Sequence, residues 1–174
     1  MKSFSVVVLL LFVSFVGNLL ADDFVLLHEE DVKMQRAFKH AKSTLEQFLR
    51  LVDKGRNPRY IFGAYVQVVD KEQTEYLWVT DLQKYNDEYY IGYVISSPRL
   101  VSTVKKGATI GFRKSDIFDW QKYDKNTRIT HGAYTSCALM DPATQEDAQY
   151  IKENGLQCTR KNILPTCCYN NESP

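Results

Sequence analysis

"RYIFGAYVQVVD", Arg59 to Asp70, decides the fold. Phe62, Ala64, Val66 and Val68 fall on every second position, the period of a strand whose successive side chains point to opposite faces. The residues just upstream keep a different period. From Asp31 to Val52, the apolar Met34, Phe38, Ala41, Leu45, Phe48, Leu49 and Val52 recur every three or four positions, which is the stripe of an amphipathic helix. Asp31 is placed to cap its start, and Gly55 and Pro58 to follow its end. Ser43 with Glu46 also spells a capping box, so the helix either starts late or is divided by a bend. A helix that gives way to a strand within a few residues predicts an α+β chain.

Downstream, "DKEQ" is a turn, "TEYLWVTDL" a strand run and "YNDE" a polar break. "YYIGYVIS" is aromatic and β-branched and ends at "SSP"; "LVSTV" leads into the turn "KKG"; "ATIGF" continues as strand. Short runs at close spacing predict an antiparallel meander. The sheet is expected to be strongly bent, like a partial barrel, with the N-terminal helix packed on its face. After Trp120, "QKYDKNTRITHG" reads as an exposed polar excursion. Asp141 and Pro142 read as the N-cap and first residue of a short C-terminal helix, with Ala148 and Ile151 inward and Gly155 at its end.

The first residues, "MKSFSVVVLLLFVSFVGNLLADD", carry Lys2, an uncharged apolar run from Phe4 to Val16, and the small Ala21 before two aspartates. This is the pattern of a secretory signal peptide over residues 1–21, and the run is short for a membrane-spanning helix. Export to the periplasm or the medium is therefore expected, with no stable membrane insertion after cleavage. Cleavage removes Lys2, one of the 22 basic residues, and none of the 21 acidic ones, so the mature chain is formally neutral. Neutrality argues against a nucleic-acid partner, which needs a basic face. Residues 22–140 then form one α+β domain and residues 141–174 a helical, Cys-rich extension.

All four cysteines, Cys137, Cys158, Cys167 and Cys168, lie in the C-terminal part. An even count in an exported chain points to disulfides. A bridge between the adjacent Cys167 and Cys168 would be strained, so Cys137 and Cys158 are each expected to pair with one of those two and tie the tail down. Zinc is the rival use, but structural zinc sites favour spaced pairs such as CxxC. His28, His40 and His131 form no metal-ligand spacing, and "GATIG" lacks the phosphate-binding lysine, so neither metal nor cofactor is expected.

Five short runs, "EYLWV", "IGYVISSP", "VKKGATIGF", "SDIFDW" and "HGAYT", occur in an order and spacing that resemble the YegJ-like family, a bacterial domain of unknown function. "AKSTLEQF" fits the helical part of that pattern. The likeness covers about Ala37 to Leu139. It implies a small α+β domain with a bent antiparallel sheet, and it implies no established activity. The chain departs from the pattern at Cys137, where a basic residue is usual, and in the Cys-bearing stretch after Asp141.

Two functions from different classes follow. A hydrolase would use Glu75 and Asp119, with His131, because paired carboxylates can divide acid and base roles. Alternation sets Glu75 and Trp78 on opposite faces of their strand. Within "SDIFDW", Ser115 and Asp116 are expected to cap a turn, Ile117 and Trp120 to pack, and Asp119 to accept from backbone or a nearby base. A bridged cysteine cannot serve as a nucleophile. The alternative is a non-enzymatic module, of a protein-binding or immunity type, whose partner is another protein in the envelope or outside the cell. Tyr76, Trp78, Tyr89, Tyr90 and Tyr93, with Glu75 and Asp119, are its candidate binding residues, since Tyr and Trp anchor interfaces. Alternation places Tyr89 and Tyr93 on one face and Tyr90 on the other. No catalytic residue is assigned, and the binding module is the preferred expectation.

Overall fold

The computed structural model describes residues 32–158. The expected signal peptide, Asp31, and Cys167 and Cys168 lie outside them. The chain runs α1 (Val32–Val52), β1 (Tyr60–Asp70), β2 (Gln73–Lys84), β3 (Tyr89–Val94), β4 (Thr109–Arg113), a single 3-10 turn (Lys114–Asp116), β5 (Ile117–Asp124), β6 (Ile129–Gly132), α2 (Tyr134–Leu139) and α3 (Gln145–Glu153). The strands form one six-stranded sheet in the order β4-β3-β2-β1-β5-β6, and every adjacent pair is antiparallel.

The order forces curvature. β4 and β5 are four strand spacings apart, about 19 Å across a flat sheet at about 4.8 Å per step. The chain from Arg113 to Ile117 spans at most about 14 Å. The sheet must therefore curl until its β4 edge approaches β5. Register shifts at Thr80–Gln83 in β2 and at Tyr65–Val66 beside β5 accompany the bend.

The stripe of α1 lies against the concave face. Leu45, Phe48, Leu49 and Val52 pack with Ala64 and Val66 of β1, Leu77 and Val79 of β2, Tyr90 and Val94 of β3, Phe112 of β4 and Ile117 of β5. Nearer its start, Met34, Ala37 and Ala41 pack against Tyr134 and Ala138 of α2. Trp120 joins the two groups. Its ring stacks on Phe48 at 4.9 Å, and its indole N–H donates to the Ala41 carbonyl and to Thr44.

The expected helix, the alternation of β1 and the bent meander are all present. Three readings need correction. "QKYDKNTRITHG" is a hairpin, not an excursion: β5 continues to Asp124, and β6 pairs with it from Gln121–Gly132 to Asp124–Ile129. Gln121, Lys122 and Tyr123 are each half-buried, so no alternation marks them in the sequence. The C-terminal helix starts at Gln145, where the Thr144 hydroxyl accepts from Asp147 N–H. Asp141 instead caps a turn through Ala143 N–H. On that helix Ile151 packs inward while Ala148 is exposed. Finally, Cys137 is bonded to Cys158 and to neither of the adjacent cysteines. Thr130 donates its N–H to Gly155 and forms a parallel bridge with Leu156, which carries Cys158 back to α2.

Candidate functional site

The two carboxylates that a hydrolase would need are already engaged. Glu75 stands on the concave side of β2, in register with Val68, and is 6% exposed. Its two oxygens accept from Arg99 N–H at 2.9 and 3.0 Å, and one of them accepts from Leu100 and Val101 N–H as well. Asp70, at the end of β1, takes the next turn of the same loop through Ser102 N–H, Ser102 hydroxyl and Thr103 N–H. The Ser102 bonds hold the Asp70 carboxyl below the usual carboxylate range. Together the two acids pin residues 99–103 over the ends of β1 and β2. "LVSTV" is thereby drawn into a backbone loop rather than a strand.

Asp119 is fully buried. One oxygen accepts from Trp120 N–H at 2.7 Å; the other accepts from Thr135 N–H and Thr135 hydroxyl, both at 2.7 Å. It thus satisfies the open first turn of α2, whose own N-cap residue, Ala133, has a left-handed backbone and no capping side chain. Burial outweighs these bonds and raises its carboxyl to about 6. The rest of "SDIFDW" is structural too. Asp116 accepts from Arg113 N–H and from the Ser115 hydroxyl, Ile117 is buried, and Trp120 packs as described.

His131 is not brought to these acids. It is exposed and in register with Lys122. Partial desolvation of the ring, then the Lys122 charge, lower its pKa. The group that senses both acids is Tyr65, pushed up to about 12 by burial first, then by Asp119 and Glu75. Its phenol stays neutral and offers no base.

The aromatic residues divide as the strand period requires. Tyr90 is buried, and its hydroxyl donates to Asp53. Tyr89 and Tyr93 share the convex face; Tyr93 is 46% exposed, while Arg113 donates to the Tyr89 hydroxyl. Tyr76 and Trp78 are half-buried. They form a run of rings with Tyr65, continued through Phe118 to Phe38 of α1. Tyr85, at the tip of the β2–β3 hairpin, is the most exposed large hydrophobic side chain among the described residues, at 71%.

An apolar cleft of about 380 Å³ opens beside this face, lined chiefly by Tyr85, Tyr89, Tyr90, Ile91, Ile110 and Gly111. Gly111 lies opposite Ile91, and a Cβ there would meet nothing closer than the Tyr90 carbonyl at 3.9 Å. Its missing side chain is what opens the cleft. A larger hollow of about 810 Å³ lies where α1 passes the β4–β5 crossing; in it Lys114 pairs with Glu46 and Arg113 donates to the Tyr89 hydroxyl. At the end of α1, a hollow of about 430 Å³ is similar, with Lys84 bridging Asp53 and Asp87. Among the described residues, no cluster of three His, Cys, Asp or Glu is placed to hold a metal, and no helix is long and apolar enough to cross a membrane.

A family described as uncharacterized proteins conserved in bacteria (DUF2314) matches residues 31–158. The chain belongs to that family. No curated protein and no solved structure matches it. The match runs past the expected domain end at residue 140 and reaches the disulfide-linked Cys158.

Proposed function

We propose that this family member, of the YegJ-like kind its motifs resemble, is a non-enzymatic module that binds another protein outside the cytosol. The observation that carries the reading is the convex face of β3 and its hairpin. Tyr85, Tyr93 and Ile95 are exposed there, and Tyr85 also lines the apolar cleft at Gly111. Exposed apolar clusters of this kind mark interaction sites. The use of Glu75 and Asp119 as backbone anchors supports the same reading, because neither offers a free carboxylate to a substrate. The signal-like N-terminus and the Cys137–Cys158 bridge favour an exported protein of the periplasm or the medium.

The test is a pull-down with the mature protein from its own envelope fraction. Replacing Tyr85 and Tyr93 with Ser should abolish capture of the partner and leave the melting curve unchanged. Retained capture with both residues replaced overturns the reading.

A further inference from the structure

The two edges of the sheet are treated differently. β6 is closed off: Thr130 N–H is taken by the Gly155 carbonyl, Leu156 bridges beside it, and the disulfide fastens that strand to α2. β4 has no such cover among the described residues, and its hydrogen bonds show which groups are left over. Lys114 donates to Glu88, and Val94 donates to Ala108. With the register Tyr90–Phe112 and Gly92–Ile110, the hydrogen-bonded pairs of this ladder fall at positions 108, 110, 112 and 114. Antiparallel pairs alternate, so Thr109, Gly111 and Arg113 turn their backbone groups outward. Arg113 N–H is met by Asp116. The N–H and C=O groups of Thr109 and Gly111 meet no protein group among the described residues, and both residues are exposed.

We propose that this edge takes up an extended segment of a partner protein as a seventh strand, one apolar side chain of which fills the cleft over Gly111. The proposal rests on the binding-module reading and names how the partner is held. Two donors and two acceptors at alternate residues select an extended backbone, which a helix cannot match. The cleft beside them, lined by Ile91, Gly111, Tyr85 and Tyr89 among others, takes a branched aliphatic or aromatic side chain from the added strand. Charge selects its end. Lys105 and Lys106 are exposed at the turn before β4 and have no ion pair among the described residues, whereas Arg113 and Lys114 at the far end are engaged. The added strand should therefore carry acidic residues where it passes Lys105 and Lys106. A second copy of this chain is a poorer occupant. Antiparallel pairing of two β4 strands would bring Lys105 and Lys106 of each copy up to Arg113 and Lys114 of the other, and like charges across a strand pair are unfavourable.

The probe is a set of fluorescein-labelled eight-residue peptides of alternating valine and threonine. One central position is varied over aliphatic and aromatic residues, and each peptide ends in two aspartates. Binding is followed by polarisation, and amide exchange reports the location. The expected result is binding by members of the set, with protection of the Thr109 and Gly111 amides. Gly111→Pro removes only an outward N–H and fills the cleft, so it should melt like the parent and weaken binding at least tenfold. Lys105→Glu with Lys106→Glu, a surface change that leaves the ladder alone, should weaken binding several-fold. No binding by any peptide, unchanged binding to Gly111→Pro, protection elsewhere, or a parent that dimerises through β4 in sedimentation would each overturn the proposal. If the Tyr85 and Tyr93 replacements abolish capture of the natural partner while Gly111→Pro captures it as the parent does, the edge is refuted and the binding-module reading stands.

Discussion

Asp119→Asn should change sign with pH. In the folded protein the carboxyl is raised to about 6 from its ordinary 3.8, with burial the largest cause. The native state therefore holds the proton more tightly than the unfolded chain. The neutral acid's full contribution to stability is present below pH 3.8, and it is lost as pH rises through about 6. Roughly two units correspond to about 3 kcal/mol at about 1.4 kcal/mol each. Asparagine is close to the neutral acid in shape. Like the neutral acid, it has one terminal group that cannot accept well from the three donors supplied by Trp120 and Thr135. At pH 4 parent and variant should thus differ by no more than the cost of one poorly met hydrogen bond, about 1–3 kcal/mol. At pH 8 the variant escapes the burial of a charge and should gain about 3 kcal/mol relative to the parent. Urea melts of both proteins at half-unit steps from pH 4 to 8, taken as the difference between them, cancel the other titrating groups. If the parent instead gains on the variant as pH rises through this window, the three donors outweigh burial, Asp119 titrates below its ordinary range, and the reasoning fails.

Non-reducing peptide mapping should recover a Cys137–Cys158 link, and replacing both residues with Ser should cost about 3 kcal/mol in denaturant melts, the chain-entropy value for a loop of this order. Gly132→Ala should destabilise by at least about 1–2 kcal/mol: the backbone there is left-handed at φ +79°, and a Cβ would run into the Trp120 carbonyl and ring. Asp124 is lowered to about 2, first by its hydrogen bond to Arg59, so it contributes stability above about pH 4 that is lost as pH falls towards 2. Arg59→Gln should therefore raise the midpoint of acid unfolding, and an unmoved midpoint would show the pair to be idle.

What the sequence showed and what it hid have physical causes. α1 and β1 were legible because a single face of each meets the core, so burial imprints its period on residue type. The same rule separated Tyr90 from Tyr89 and Tyr93. It failed from Gln121 to Tyr123, where both sides of β5 are half-buried, and at α2, a helix of six residues. The cap of α2 is a carboxylate 16 residues upstream of Thr135, and no local window contains it. The disulfide was misassigned because elimination by spacing says nothing about where the chain returns. A bridge between Thr130 and Leu156 settled that.

The buried acids show why residue type alone misleads about function. Glu75, Asp70 and Asp119 have the character of active-site acids: each is buried and ionisable. Each is instead matched to backbone donors that the fold leaves unpaired, three in the loop after β3 for Glu75 and the first turn of α2 for Asp119. A buried carboxylate is tolerated only when such donors surround it, and here those donors hold it to the backbone instead of leaving it free to reach a substrate. Among the described residues, main-chain groups at Thr109 and Gly111 remain unpaired, and no side chain reports them. Such a site is legible only after the register of β3 and β4 is known, because a shift of one residue would turn those same groups inward.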